Sequence, residues 1–259
     1  MNNSLLKSRL KDFKLSGILS SIDERLAYAN SNALSYSEFI ELLLEDEANN
    51  RRDNSHNKRY ARAKFPIRKT IAEFDFSFQP SIDKRQLNDA ATCQFIREHQ
   101  NVVFIGSPGT GKTHLSIALG IQALLKGHKV LFSSVADMLY NLHTAKADNS
   151  FYKKLNYYLE PDLLILDELG FKKVPAYSAD DFFEVISRRY EKGSVIISTN
   201  KPFEQWGEIF ADNILAGAIL DRIVHHSLVF KISGPSYRAK KVINLNGQND
   251  IGEEVIMDN

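Results

Sequence analysis

Five short apolar runs divide the chain after residue 100 into alternating strand-like and helical segments. The runs lie at residues 102–105, 129–133, 163–166, 194–200 and 228–232. Their apolar residues are continuous rather than alternating, which is typical of parallel strands that are covered on both faces. The pattern therefore predicts an α/β fold in which a five-stranded parallel sheet carries helices on both faces.

The residues before this sheet predict a small, all-helical N-terminal domain. Apolar positions recur at helical spacing within residues 5–29, and a second helical stretch begins near residues 35–37. We place the domain boundary near Thr70 and expect domains at 1–70 and 71–245, followed by a polar tail at 246–259.

A linker joins the two predicted domains. Over residues 70–80 the side chains of Phe74, Phe76 and Phe78 alternate, as they would in an extended segment that lies along an apolar surface. The next segment, 83–100, predicts a helix.

Composition sets broad limits on the class of protein. The 259 residues are enough for one substantial domain with an appendage, and a net charge of +1 says little about partners. The single cysteine, Cys93, cannot form an internal disulfide and is expected to be a small core residue on a helix. No apolar run approaches the ~18 residues of a membrane span, so we expect a cytoplasmic protein.

The first apolar run leads directly into a phosphate-binding loop. The pattern G-x-x-x-x-G-K-[ST] is matched in full by Gly106, Ser107, Pro108, Gly109, Thr110, Gly111, Lys112 and Thr113. Such a loop turns backbone N–H groups inward, and the N-terminus of the following helix adds a positive field for phosphate oxygens. Lys112 would reach the β- and γ-phosphates, and the Thr113 hydroxyl would hold Mg²⁺. The loop predicts that the chain binds a nucleoside triphosphate.

Two further strand ends carry polar side chains that suit this chemistry. Asp167 and Glu168 follow the apolar run at 163–166, at the sheet edge where open α/β sheets bind ligands. We expect Asp167 to hold Mg²⁺, directly or through water, and Glu168 to orient or deprotonate the attacking water. Asn200 ends the next strand, either as an amide that points into the same crevice or as an ordinary strand-end residue.

A basic stretch lies between residues 51 and 69. Asp53 alone opposes its cations, which are Arg51, Arg52, Lys58, Arg59, Arg62, Lys64, Arg68 and Lys69. Such a run is either a solvated helix face or a surface that binds the phosphate backbone of a nucleic acid. The first six of these cations are our candidate DNA-binding residues.

The order of these motifs resembles that of AAA+ ATPases, and the motifs themselves look like those of the IstB-like ATP-binding proteins. These are transposition helpers of bacterial insertion sequences and relatives of DnaC-type helicase loaders. The similar segments are 106–115, 166–170, 198–203, 213–227 and 236–238, together with the N-terminal helix and the linker. The resemblance covers nearly the whole chain.

The resemblance implies roles for individual residues. Lys112 and Thr113 match Walker A, with His114 completing the nucleotide loop, and Asp167 and Glu168 match Walker B. Asn200 matches sensor 1, Arg222 matches the arginine finger, and Arg238 is similar to the sensor 2 arginine. An arginine finger would reach the γ-phosphate held by a neighbouring subunit.

Each late arginine also has a simpler interpretation. Arg222 could form a surface ion pair with Asp221, and Arg238 could be a solvated loop residue. Only a short segment follows Arg238, so we expect no C-terminal helical lid, as in DnaC-like members of the class.

The function that the resemblance implies is ATP-dependent regulation of DNA transposition, with ATP and Mg²⁺ as cofactors. ATP-bound subunits would form homo-oligomers on duplex DNA, select the target and engage a transposase, and hydrolysis would drive disassembly. Two alternatives stay open, namely a helicase loader that binds single-stranded DNA and a helicase, and a P-loop kinase of a small molecule. A preference for duplex or for single-stranded DNA would separate the transposition regulator from the helicase loader.

Overall fold

The structure, a computed structural model, describes residues 3–239, and its contacts divide the chain into two units. The units are Met1–Arg59 and Tyr60–Asn259. Residues 60–70, which the sequence analysis places in the N-terminal domain, contact the core of the second unit, where Ala63 is fully buried and Phe65 packs against Phe132. The predicted polar tail, 246–259, lies outside the described residues.

The first unit is helical, as predicted. It contains α1 (Ser4–Asp12), α2 (Ser16–Asn32) and most of α3 (Tyr36–Ala63). Its small core consists of Leu10, Ile18 and Ile22, with partly buried side chains such as Phe39 and Leu43 packed against them.

The helical pattern within residues 5–29 corresponds to two helices rather than one, because the chain turns between α1 and α2. Lys14 adopts a left-handed conformation with φ 57°. The N–H of Leu15 donates to the carbonyl of Leu10 at 2.9 Å, and that of Lys14 donates to Lys11 at 3.0 Å. This pair of hydrogen bonds is a Schellman motif, which satisfies the last carbonyls of α1 and reverses the chain.

A buried carboxylate joins α2 to α3 within the first unit. Glu47 accepts hydrogen bonds from the backbone N–H groups of Gly17 at 2.7 Å and Ile18 at 3.3 Å, and from Arg51 at 2.6 Å. Burial alone would raise the pKa of Glu47, but these hydrogen bonds outweigh it and hold the pKa below its usual value. The charge therefore caps the N-terminus of a neighbouring helix.

The second unit is an α/β sandwich built on a parallel sheet. Its strands are β1 (Asn101–Gly106), β2 (Val130–Ser134), β3 (Leu163–Leu169), β4 (Ser194–Thr199) and β5 (Ser227–Ile232). Its remaining helices are α4 (Lys84–Ala91), α5 (Gln94–Arg97), α6 (Lys112–Leu125), α7 (Val135–Ala147), α8 (Phe151–Leu159), α9 (Ala176–Arg189), α10 (Trp206–Phe210) and α11 (Asn213–Val224). The strand order is β2-β3-β4-β1-β5, and every neighbouring pair is parallel. The predicted five-stranded parallel sheet is confirmed.

Both faces of the sheet are buried, which explains why the strands are apolar throughout. In β1, Val103 and Ile105 join one core, whereas Val102 and Phe104 join the other. The first core also contains side chains of α7, α9, α10 and α11, and the second contains side chains of α4 and α6. Because alternate residues enter two different cores, most positions along the strand carry apolar side chains.

The linker and the helix after it differ from their predictions. Residues 70–80 form successive turns rather than an extended segment, and Phe74 is buried. The predicted helix over 83–100 is interrupted between α4 and α5 at Cys93, which has φ 61°. Cys93 itself is buried in the core, as expected.

No helix within residues 3–239 is long and apolar enough to span a membrane.

A buried guanidinium fixes the edge of the sheet at which strands β3 and β4 begin. Arg189 is 2% exposed, and it donates hydrogen bonds of 2.8–3.2 Å to the carbonyls of Tyr158, Leu159, Asp162 and Ser194. Burial lowers its pKa to about 10, so it stays charged at neutral pH. One side chain thereby satisfies the end of α8 and the starts of two strands.

We predict that Arg189→Met destabilises the protein by about 3 kcal/mol or more, because several buried carbonyls lose their donor. For a domain of this size the melting temperature should fall by about 6–12 °C. The matched control is Arg188→Met, since Arg188 is exposed and pairs only with Glu184 at 2.6 Å, a contact typically worth below 1 kcal/mol. Thermal unfolding of both variants checks the prediction, and equal shifts would contradict it.

Candidate nucleotide-binding site

The phosphate-loop sequence lies between β1 and α6, as its motif requires. Gly109 and Gly111 have φ of 82° and 99°, a region that favours glycine. A Cβ at Gly111 would lie 2.5 Å from the ring of Phe74, and one at Gly109 would lie 2.1 Å from the Ser236 hydroxyl. Both glycines are therefore needed for backbone conformation and for close approach by other segments.

A cleft of about 490 Å³ opens over this loop. This volume is within the usual range of ~300–1,000 Å³ for ligand pockets. Of the predicted site residues, the cleft is lined by Pro108, Gly109, Thr110, Gly111, Lys112, Thr113, His114, Glu168, Asn200 and Arg238. The fold thus brings together residues that are far apart in the sequence.

Lys112 is held at the base of the loop by backbone carbonyls. Its ammonium donates to the carbonyl oxygens of Gly106 and Ser107, both at 2.8 Å. Burial lowers the pKa of Lys112, Asp167 acts against this effect, and the nearby Arg238 adds to it. Lysine has three N–H donors, so the arrangement leaves one to meet a phosphate oxygen.

Asp167 is tied to two hydroxyl groups on neighbouring elements. Thr113, in the first turn of α6, donates to its carboxylate oxygens at 2.9 and 3.1 Å, and Ser198 of β4 donates to Oδ1. The Ser198 hydroxyl also accepts the backbone N–H of Glu168 at 3.0 Å. Ser198 was not among the predicted site residues, because a serine inside a buried strand carries no signal of its own.

A bulge in β3 separates the two acidic side chains. The pairing with β4 shifts between Leu166 and Leu169, and Glu168 has φ 65°. A non-glycine residue in this conformation costs about 1–3 kcal/mol, and such strain is concentrated at functional sites. Asp167 is buried beside Thr113, whereas Glu168 is exposed and lines the cleft.

The residues at this edge fit Mg²⁺. The Thr113 hydroxyl and the Asp167 carboxylate are adjacent oxygen donors. Within residues 3–239 no cluster of three or more His, Cys, Asp or Glu side chains could hold a metal by itself. Mg²⁺ is usually bound through one or two protein oxygens together with substrate phosphates and water, so this small donor set is suitable.

Asn200 follows β4 and lines the same cleft as Glu168. Its Oδ1 is buried and has no hydrogen-bond partner within residues 3–239. A buried amide oxygen without a donor is costly, so this atom is suited to accept a hydrogen bond from a water molecule or ligand.

Arg238 reaches the cleft on a segment that is fastened to the phosphate loop. The N–H of Tyr237 donates to the carbonyl of Gly109 at 3.0 Å, and the Gln79 amide donates to the carbonyl of Pro235 at 2.8 Å. These contacts position the arginine through its own backbone.

The turns over residues 67–80 form a wall of the cleft that the sequence analysis missed. The cleft is lined by Ile67, Lys69, Glu73, Phe74, Asp75 and Gln79. His114 holds this wall, since its Nε2 lies 2.8 Å from the carbonyl oxygen of Thr70 and its ring meets Phe74 edge-on, with 5.2 Å between centroids. Burial lowers the pKa of His114, which favours the neutral imidazole. The only sequence signal for this wall was the cluster of phenylalanines.

Arg222 lies outside the cleft, near the end of α11. Its Nη1 donates to the Ala218 carbonyl at 2.9 Å, and its guanidinium carbon lies 4.8 Å from the centre of the Phe183 ring. The structure records no ion pair between Arg222 and Asp221. Arg222 is therefore not among the residues that line the cleft.

The basic stretch begins as one face of α3 in the first unit. Two pairs of adjacent cations, offset by seven residues or about two helical turns, fall within about a third of the helix circumference. They are Arg51 with Arg52 and Lys58 with Arg59. Arg51, Arg52 and Lys58 are exposed, although Arg51 also pairs with Glu47. Arg62 and Lys64 belong to the second unit, where Lys64 lies 5.2 Å from the ring of Tyr157.

Fold and site together are those of a P-loop nucleotide-binding protein whose α/β fold is of the AAA+ type. The chain is similar to AMPPCP-bound DnaA from Aquifex aeolicus, with a TM-score of 0.54 and 21% identity over 74% of this chain and 58% of that one. It is also similar to DnaI, with a TM-score of 0.55 and 20% identity over 64% of this chain and 92% of that one. At these identities the likeness concerns the fold alone.

A comparison with protein families gives a more specific assignment than the fold does. The model of the IstB-like ATP-binding proteins matches residues 8–244, and the chain belongs to this family. An ATP-binding protein assigned to insertion sequence IS5376 of Geobacillus stearothermophilus is 42% identical over 83% of this chain and 85% of its own length. One assigned to IS21 of Pseudomonas aeruginosa is 41% identical over 92% and 88%.

We predict that Ser198→Ala lowers ATPase turnover by about 10–100-fold and raises the Mg²⁺ concentration needed for half-maximal rate. The reason is that Asp167 loses a donor and the strained Glu168 amide loses its acceptor. Ser194→Ala is the matched control, because Ser194 is buried in the same strand at the opposite edge and donates to the Phe95 carbonyl at 3.1 Å. Equal losses in Mg²⁺ titrations of both variants would show that Ser198 has only a structural role.

Proposed function

We propose that the protein is an ATP-hydrolysing regulator of DNA transposition, whose ATP-bound subunits assemble on duplex DNA and engage a transposase. The observation that carries this proposal is the division of the catalytic groups. Lys112, Glu168, Asn200 and Arg238 line one cleft, whereas Arg222 lies on a separate surface of the same unit.

The proposed reaction begins with the phosphate loop. Its backbone N–H groups, the α6 N-terminus and the ammonium of Lys112 bind the β- and γ-phosphates. Thr113 and Asp167 would hold Mg²⁺, which when bound neutralises charge on the phosphate oxygens. Arg238 approaches the same phosphates from the segment fastened to Gly109.

Glu168 and Asn200 activate and position the attacking water molecule. The Glu168 carboxylate is exposed to the cleft and can accept the proton of a water molecule, and the Asn200 oxygen can fix that water through a hydrogen bond. This pairing favours hydrolysis over phosphoryl transfer to a small-molecule acceptor.

Arg222 completes the site of a neighbouring subunit. An arginine that stabilises charge in the transition state is worth about 10³–10⁵ in rate in phosphoryl-transfer enzymes. When that arginine comes from a second copy, hydrolysis requires assembly, and the bound nucleotide holds the two copies together.

Two observations support DNA as the partner, namely the basic face of α3 and the similarity to insertion-sequence proteins. Arg51, Arg52, Lys58 and Arg59 present one basic face, which suits a phosphate backbone. The relatives at 41–42% identity are proteins of insertion sequences, which is why we place the reaction in transposition.

Glu168→Gln tests the proposal as a whole. We expect ATP binding and assembly on duplex DNA to persist while turnover falls at least about 100-fold, because the amide cannot accept a proton. The measurements are ATPase rate and oligomer size by light scattering, with and without duplex and with single-stranded DNA. Lys112→Ala is the control that should neither bind ATP nor assemble by itself, without an ATP-bound partner variant. Normal hydrolysis by Glu168→Gln would remove its role, and assembly only on single strands would favour a helicase loader.

Arg222→Ala tests the sharing of the site between subunits. The variant should bind ATP normally and hydrolyse it at least about 10³-fold more slowly. Mixing it with Lys112→Ala should restore activity, because the nucleotide bound by the first variant then meets the intact arginine of the second.

The measurement is ATPase rate across mixing ratios with duplex DNA present. A role within its own subunit predicts no rescue. A mixture that co-assembles but never exceeds the summed rates of the separate variants would contradict the shared site.

A further inference from the structure

We infer that Phe183 is the positioning residue for Arg222, so that its ring holds the guanidinium ready to reach a neighbouring subunit's nucleotide. This inference rests on the proposed function, in which Arg222 acts between subunits. It assigns a role to a side chain on α9 that touches neither the phosphate loop nor the cleft.

Two contacts define the direction of the Arg222 side chain. Its Nη1 donates to the carbonyl of Ala218, one turn earlier in α11, at 2.9 Å. The guanidinium carbon lies 4.8 Å from the centre of the Phe183 ring, within the ~6 Å limit of a cation–π contact. A guanidinium has five N–H donors, and within residues 3–239 one hydrogen bond from it is seen, so most of the donors are left for a phosphate.

A second contact braces the same end of α11 against α9. The Tyr190 hydroxyl, just after α9, lies 3.1 Å from Nδ1 of His225, just after α11. The two contacts lie one turn apart on α11 and two turns apart along α9. The backbone that carries Arg222 is therefore fixed as well as its side chain.

Holding the arginine in advance matters because of its entropy. A free arginine side chain loses rotamer freedom when it is fixed, and this loss would otherwise occur as the transition state forms. An aromatic face restricts the guanidinium without taking its in-plane N–H donors, whereas a carboxylate partner would occupy them. An aromatic ring is therefore a suitable contact for an arginine whose N–H donors must bind a nucleotide in another subunit.

Phe183 also packs partly against the core on its side of the sheet, so the test must separate packing from positioning. Phe183→Leu and Phe183→Met keep an apolar side chain but remove the ring, whereas Phe183→Tyr keeps it. With saturating ATP and duplex DNA, we expect Leu and Met to lower turnover about 3–30-fold and Tyr to stay within about twofold of the parent. The KM for ATP should not change, because Phe183 does not line the cleft.

The pattern across the series decides between the two roles. Loss of turnover in Leu and Met with recovery in Tyr supports positioning by the ring. Equal activity in all four proteins, or a loss that follows the melting temperature rather than the ring, overturns the inference. In an Arg222→Ala background the change from Phe to Leu should have no further effect on rate, and an additive loss would also overturn it.

Mixing experiments distinguish failure of this inference from failure of the proposed function. Phe183→Leu mixed with Lys112→Ala should regain rate, since at mixed interfaces the intact pair of Phe183 and Arg222 then faces the bound nucleotide. If Arg222→Ala is rescued in this way but Phe183→Leu has parental turnover, the shared site stands and the positioning role fails. If neither is rescued within co-assembled mixtures, the shared site fails and the inference fails with it.

Discussion

The carboxylate of Asp167 is the contact on which the geometry of the site depends. It accepts hydroxyl donors from Thr113 at the start of α6 and from Ser198 in β4. These hydrogen bonds fix α6, β3 and β4 to one another, although the three elements are not consecutive in the sequence. Since Thr113 directly follows Lys112, the phosphate loop is set against the strand that carries Glu168. A proposed metal ligand is thus also a structural joint.

The bulge in β3 follows from the same joint. In a regular strand Asp167 and Glu168 would point to opposite faces of the sheet. The left-handed conformation of Glu168 changes this, so that Asp167 is buried against α6 and Glu168 lines the cleft. The Ser198 hydroxyl accepts the amide of Glu168 and so satisfies the backbone where the pairing is interrupted. Local strain is compensated by a hydrogen bond from the neighbouring strand.

The phosphate loop is also enclosed by segments that come before and after the sheet in sequence. Phe74 covers Gly111, and the Tyr237 amide binds the carbonyl of Gly109. The Gln79 amide joins these two segments by donating to Pro235. The glycines of the loop therefore serve close packing as much as phosphate binding, and the contacts of Tyr237 and Pro235 position the segment that carries Arg238.

The sequence by itself determined the parallel sheet, the phosphate loop and the candidate residues, because buried strands and glycine turns leave strong local patterns. It missed the contacts of Ser198 and Phe183, the wall formed by residues 67–80, and the breaks at Lys14 and Cys93. Those features depend on partners far away in the chain, such as Asp167 and Arg222, and on left-handed conformations that the residue type does not reveal. Only the tertiary structure decided which acid is buried, which acid lines the cleft, and that Arg222 is not among the cleft-lining residues.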